Sequence, residues 1–92
     1  MMDTAAKHIV ISGRVQGVGF RFTALNIANR YRLTGQVRNV SNGAVEMLLQ
    51  GPSETIDNCI RDLQDSFAGC ISQTDVDVVK PDLNLTDFRI TF

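Results

Sequence analysis

The chain has 92 residues, 43% of them hydrophobic and 21% charged, with a formal net charge of -1. That length suits one soluble domain spanning 1–92 around a single core, and a net-acidic balance argues against broad nucleic-acid binding. The longest apolar stretches, such as residues 9–11 and 47–49, fall far short of the roughly 20 residues that cross a bilayer, so neither a membrane helix nor a membrane partner is expected.

The chain opens Met1-Met2-Asp3-Thr4-Ala5-Ala6-Lys7. It lacks the long apolar run of a secretory signal, which makes the cytoplasm the expected compartment. Residues 8–15 alternate around Ile9, Ile11 and Gly13 in one phase and Val10 in the other, predicting a first strand. A glycine-rich stretch follows. Residues 22–33 then place Ala24, Ile27, Ala28 and Tyr31 at helical spacing, with Gly35 as the expected left-handed terminator.

Residues 36–40 and 44–50 flank Ser41-Asn42-Gly43, whose Asn-Gly pair supplies positive backbone dihedrals, so they read as a hairpin. Gly51-Pro52-Ser53-Glu54 opens a second helix with proline near its first turn. The stripe Ile56, Ile60, Leu63 and Phe67 predicts that this helix ends near Gly69. Val76 and Val78 alternate with Asp75 and Asp77 in a fourth strand. Residues 81–85 read as a loop, and Phe88, Ile90 and Phe92 alternate as a short final strand.

The order β-α-β-β-α-β plus a last strand predicts an α+β, ferredoxin-like split β-α-β sandwich: an antiparallel sheet with two helices on one face. In that topology the first two strands run parallel with one antiparallel strand between them. Their carboxyl ends then share one edge about 10 Å apart, bringing Arg21 and Asn39 within reach of one small ligand despite their separation in sequence.

Charge points to the same edge. Residues 1–50 carry six Lys or Arg against two acidic residues, +4, while residues 51–92 carry three against eight, -5. Gly13-Arg14-Val15-Gln16-Gly17-Val18-Gly19-Phe20-Arg21 lies between a strand and a helix, where successive amides and the positive helix end can cradle an anion. Arg21 adds a planar charged fork that can pair with two phosphate oxygens. There is no Walker lysine and no third glycine at dinucleotide-motif spacing. On spacing alone, Gly17 and Gly19 equally suit a tight turn with no ligand.

The same stretch resembles the first diagnostic motif of the acylphosphatase family, whose core reads G-x-V-Q-G-V-x-F-R. Gly35-Gln36-Val37-Arg38-Asn39, with Gly43, Val45 and Gly51, is similar to that family's second motif. The resemblance covers nearly the whole chain. It departs at Gln36, where an aromatic residue is usual, which puts the packing beside the asparagine in question.

The resemblance implies hydrolysis of small acyl phosphates to carboxylate and inorganic phosphate. Backbone amides of Gln16, Gly17, Val18, Gly19, Phe20 and Arg21, with the Arg21 guanidinium, would hold the phosphate, and Asn39 would position the attacking water. No metal or cofactor is implied. Phosphoryl transfer needs mainly positioning and charge stabilisation, and a carboxylate of pKa about 4 leaves without a general acid.

Other residues read more plainly. His8 is expected in strand packing or at the surface, and Arg14 and Arg38 orient anions or are simply solvated. Thr23 is expected to cap the first helix and Asn26 to face solvent, with contact to the active-site edge as the alternative; Phe20, Phe22 and Phe67 are expected to pack in the core, with the shaping of an acyl pocket as the alternative. Cys59 and Cys70 match no zinc spacing and are expected to be free thiols, with a single bridge as the alternative. A monomer is expected. Two rival readings are a non-catalytic binding module for RNA or a small regulatory molecule, and an accessory domain like that of the hydrogenase-maturation carbamoyltransferases.

Overall fold

A computed structural model describes residues 4–92. The elements run β1 (Ala5–Gly13), α1 (Phe20–Arg30), β2 (Thr34–Asn39), β3 (Val45–Gly51), α2 (Ser53–Ser66), β4 (Ile71–Val79) and β5 (Phe88–Ile90). They build one sheet in the order β4-β1-β3-β2-β5. The pairs β1/β3, β1/β4 and β2/β3 are antiparallel, whereas β2/β5 is parallel. The sheet is therefore mixed, which corrects the all-antiparallel expectation: β5 reaches the far edge through the loop after β4 and enters running the same way as β2. The ferredoxin-like core of the fold stands.

Alternation decides which face is covered. Ile9 and Ile11 of β1, Val37 of β2, and Val45, Met47 and Leu49 of β3 are buried with Ala24, Ile27 and Ala28 of α1 and Ile56, Cys59, Ile60 and Leu63 of α2 in one apolar cluster. Both helices contribute to that cluster and touch each other. The opposite phase carries His8, Gln36, Arg38 and Glu46, which are partly or fully exposed. On that open face Glu46 accepts from Arg38 at 2.7 Å and lies 3.2 Å from His8. No described helix is long and apolar enough to cross a membrane.

Several boundaries move for local reasons. β1 begins at Ala5 and ends at Gly13, two residues before the predicted end, because Gly13 takes a φ of 125° and the register to β4 shifts there. α1 begins at Phe20, with left-handed Gly19 as its N-cap and no side-chain cap. Thr23 is therefore not the cap; its amide makes the bond to the Gly19 carbonyl.

α1 ends at Arg30, and the left-handed residue beyond it is Arg32, φ 57°, with Leu33 N donating to Ala28 O. Gly35 is not the helix terminator. It lies inside β2 at φ 141°, where a methyl group would overlap the Leu48 carbonyl. α2 stops at Ser66 rather than near Gly69, and β5 covers three residues, leaving Phe92 beyond it.

One buried polar side chain positions the last strand. The Gln50 amide donates to Asp82 O at 2.9 Å and accepts from Asp82 N at 2.8 Å, fixing the loop before β5. Gly35 N then bonds Asp87 O, and β5 enters beside β2. Cys59 is buried and Cys70 half-buried, both as free thiols without a bridge.

Candidate active site

The ends of β1 and β2 do meet at one sheet edge. β3 lies between them, with Val45 opposite both Ile11 and Asn39. Asn39 therefore shares the helix-covered face with Val37, while Gln36 and Arg38 point to the open face. Gln36 does not pack beside the asparagine; it is exposed and lines a separate polar recess with Asp87 and Arg89. Arg38 is held by Glu46 on that same face.

Between β1 and α1 the chain makes a loop anchored at both ends. Val15 is buried, and Phe20 is buried against Phe67 with ring centroids 4.8 Å apart. Gly17 and Gly19 adopt φ of 76° and 80° with open space around the missing Cβ. Backbone conformation, not crowding, therefore requires glycine at both positions. Among the described residues, none of the amides of residues 16–22 donates to a backbone carbonyl. With no acidic residue in the first turn of α1, this stretch presents unpaired donors at a positive helix end.

Gln16 has a second task. Its side-chain amide donates to Val40 O at 2.8 Å and Ala44 O at 2.9 Å. It thereby ties the loop to the β2–β3 turn, itself closed by Val40 N to Ala44 O and Ala44 N to Asn42 Oδ1. This strut spans the gap between the stretch carrying Arg21 and the strand carrying Asn39.

The result is a cavity of about 160 Å³ lined by Val15, Gly17, Gly19, Phe20, Arg21, Phe22 and Asn39. Of the residues expected in the site, Gly17, Gly19, Phe20, Arg21 and Asn39 come together there. Gln16 and Val18 are not in the lining. Arg21 pairs with no carboxylate among the described residues, so its charge is not neutralised locally. Asn39 Oδ1 is buried and accepts no hydrogen bond from them. A buried acceptor without a partner is costly, and here it borders a cavity.

Arg14 is exposed, with a guanidinium nitrogen 3.8 Å from Cys70 Sγ, and stays outside the lining. His8 is bound to Glu46 on the open face. No group of three or more His, Cys, Asp or Glu among the described residues could hold a metal ion.

Phe22 does not pack in the core, contrary to expectation. Phe22 lines the cavity while 69% exposed, and Phe92 is 97% exposed with its ring 5.2 Å from the Arg21 guanidinium carbon. Spacing suggests packing for Phe22, whereas alternation places Phe92 in the final strand, which ends two residues earlier. The adjacency of Phe22 to Arg21 at a helix start was the one available signal.

An uncapped helix start, a guanidinium with no described carboxylate partner and an orphaned amide oxygen thus lie together on one edge of a ferredoxin-like α+β sheet. The acylphosphatase family model matches residues 7–90. An acylphosphatase of Methanospirillum hungatei is 39% identical over 70 residues, covering 76% of this chain and 77% of that protein. The crystal structure of acylphosphatase from Bacillus subtilis superposes with a TM-score of 0.88 at 28% identity, over 96% of this chain and 99% of that one.

Full-length HypF, solved in a phosphate- and nucleotide-bound form, contains a region that matches all of this chain at 30% identity and a TM-score of 0.86; the match spans 12% of that chain. The chain belongs to the acylphosphatase family, and its activity is that of an acylphosphatase.

Proposed function

We infer that residues 1–92 act as one domain that hydrolyses small acyl phosphates by direct attack of water, using Arg21, Asn39 and the loop amides. The observation that carries this reading is the pairing in one cavity of an unneutralised Arg21 with a buried, unpartnered Asn39 Oδ1.

The phosphoryl oxygens of the substrate take the place of the missing partners of Arg21 and of the amides of residues 16–21. This compensates the charge spread over the phosphoryl oxygens in the transition state. Asn39 Oδ1 accepts one hydrogen of the attacking water and so aims its oxygen at phosphorus without deprotonating it. As the new P–O bond forms, the P–O bond to the acyl group breaks and its electron pair leaves on the carboxylate. The water protons pass to phosphate oxygen and bulk solvent.

No side chain in the lining other than Arg21 is ionisable, so the reaction needs a leaving group that departs unprotonated. An acyl phosphate supplies one and an alkyl phosphate does not. The residues present suffice without a resident metal or cofactor. The free Cys59 and Cys70 suit a reducing cytoplasm, and Asp75 and Asp77 on the β4 edge discourage strand pairing between copies, which supports a monomer.

The test is hydrolysis of benzoyl phosphate followed by ultraviolet absorbance with chelator present. Wild type is active, inorganic phosphate inhibits competitively, and Arg21→Ala and Asn39→Ala each lose activity by about 100-fold or more while remaining folded. Restoration of activity by added metal, or full activity in either variant, overturns the reading.

A further inference from the structure

The lining of the cavity leaves one end unaccounted for. In the hydrolase reading the loop amides and Arg21 hold the phosphate, but the side chain of Phe22 offers it only a ring. That ring is 69% exposed, although Phe20, two residues earlier, is buried. The fold therefore does not need Phe22 for its core.

Phe92 arrives at the same place by a different route. β5 pairs in parallel with β2, Gly35 with Phe88, Gln36 with Arg89 and Val37 with Ile90, and Thr91 N continues the ladder to Val37 O. Two residues further along each strand, Phe92 comes level with Asn39. Its ring lies against the Arg21 guanidinium at 5.2 Å while 97% exposed. Scattered exposed aromatic residues need no explanation. Here one lines the cavity and the other lies against the arginine that also lines it, which is a different observation.

We propose that Phe22 and Phe92 form the acyl subsite of this enzyme and select substrates whose acyl group is aromatic. This rests on the hydrolase reading above. With the phosphoryl group on Arg21, Phe22 and Phe92 are the exposed aromatic side chains beside it. A planar apolar group there gains ring contacts and removes apolar surface from water. An acetyl group offers far less apolar surface to such contacts. An acyl group with a second carboxylate finds no further cation in the lining, since Arg21 is its only charged residue. Aromatic acyl phosphates are thus favoured over acetyl phosphate and over dicarboxylic monoacyl phosphates.

The experiment separates binding from hydrolysis by using acetylphosphonate and benzoylphosphonate, in which a P–C bond replaces the scissile linkage. Their affinities for wild type, Phe22→Ala and Phe92→Ala are measured by titration calorimetry. The kcat/KM ratio for benzoyl over acetyl phosphate is measured alongside. Wild type binds the benzoyl compound about tenfold more tightly, and each alanine variant narrows both ratios by about three- to tenfold. A purely structural role for the rings would lower both members of each pair together.

Equal affinities in wild type, or ratios that survive both substitutions, overturn the proposal. If benzoylphosphonate is preferred but neither acyl phosphate is hydrolysed, the subsite stands and the hydrolase reading falls. Hydrolysis of both substrates at ratios that Phe22 and Phe92 do not influence sinks the subsite alone.

Discussion

Replacing Gln16 by methionine tests whether the strut between loop and turn holds the site together. Methionine keeps the length and packing of the side chain and deletes its donors. Two hydrogen bonds are lost, to Val40 O and Ala44 O at 2.8 and 2.9 Å. Neither carbonyl is orphaned, however, because Val40 O still receives Gly43 N and Ala44 O still receives Val40 N.

The cost is then the net value of two bonds without a desolvation penalty, about 1–2 kcal/mol. For a domain of this size that lowers the thermal midpoint by about 5–15 °C, measured by circular dichroism. Activity suffers more than stability, because loosening the loop against β2 lets the spacing of Arg21 and Asn39 drift. A misplacement on the ångström scale costs about 10- to 100-fold in kcat/KM. Gln16→Glu, which sets an acceptor against two carbonyls, falls further on both counts. A Gln16→Met protein with a wild-type midpoint and full activity would refute the strut.

Gly35→Ala drives a methyl group into the Leu48 carbonyl at a φ of 141°, so it destabilises by about 3 kcal/mol or more in urea titrations. Arg32→Gly relieves a left-handed arginine and raises stability by about 0.5–1 kcal/mol in the same assay. Glu46 has its carboxyl held below the usual range by the Arg38 hydrogen bond and, secondarily, by His8. On acidification the unfolded chain takes up that proton first. The stabilisation is complete above the ordinary value of 4.5 and disappears as pH falls through the folded value. Glu46→Gln should therefore flatten the stability profile below that pH. Burial pushes the Cys59 thiol up to about 12, so at pH 8 a thiol reagent should modify Cys70 in the native protein and reach Cys59 only after unfolding.

Much of this protein is local and therefore written along the chain. Period-two and period-three-to-four apolar patterns such as Ile9/Ile11 and Ile56/Ile60/Leu63 mark elements without reference to partners. The Asn42-Gly43 turn and the left-handed demands on Gly17 and Gly19 are satisfied within a few residues. The order of elements then implies that the ends of β1 and β2 share an edge, which made Arg21 and Asn39 neighbours before any coordinates.

What sequence could not decide depends on contacts between distant segments. Gly35 looks like a helix terminator until the Leu48 carbonyl is set against it, and Phe22 looks like core until the core is seen to be full without it. The parallel entry of β5, secured by Gln50 and the backbone of Asp82, brings Phe92 level with Asn39. The strut from Gln16 to Val40 and Ala44 crosses more than twenty residues of sequence. Alternation specifies which face of a strand a side chain takes, but only packing determines what that face meets.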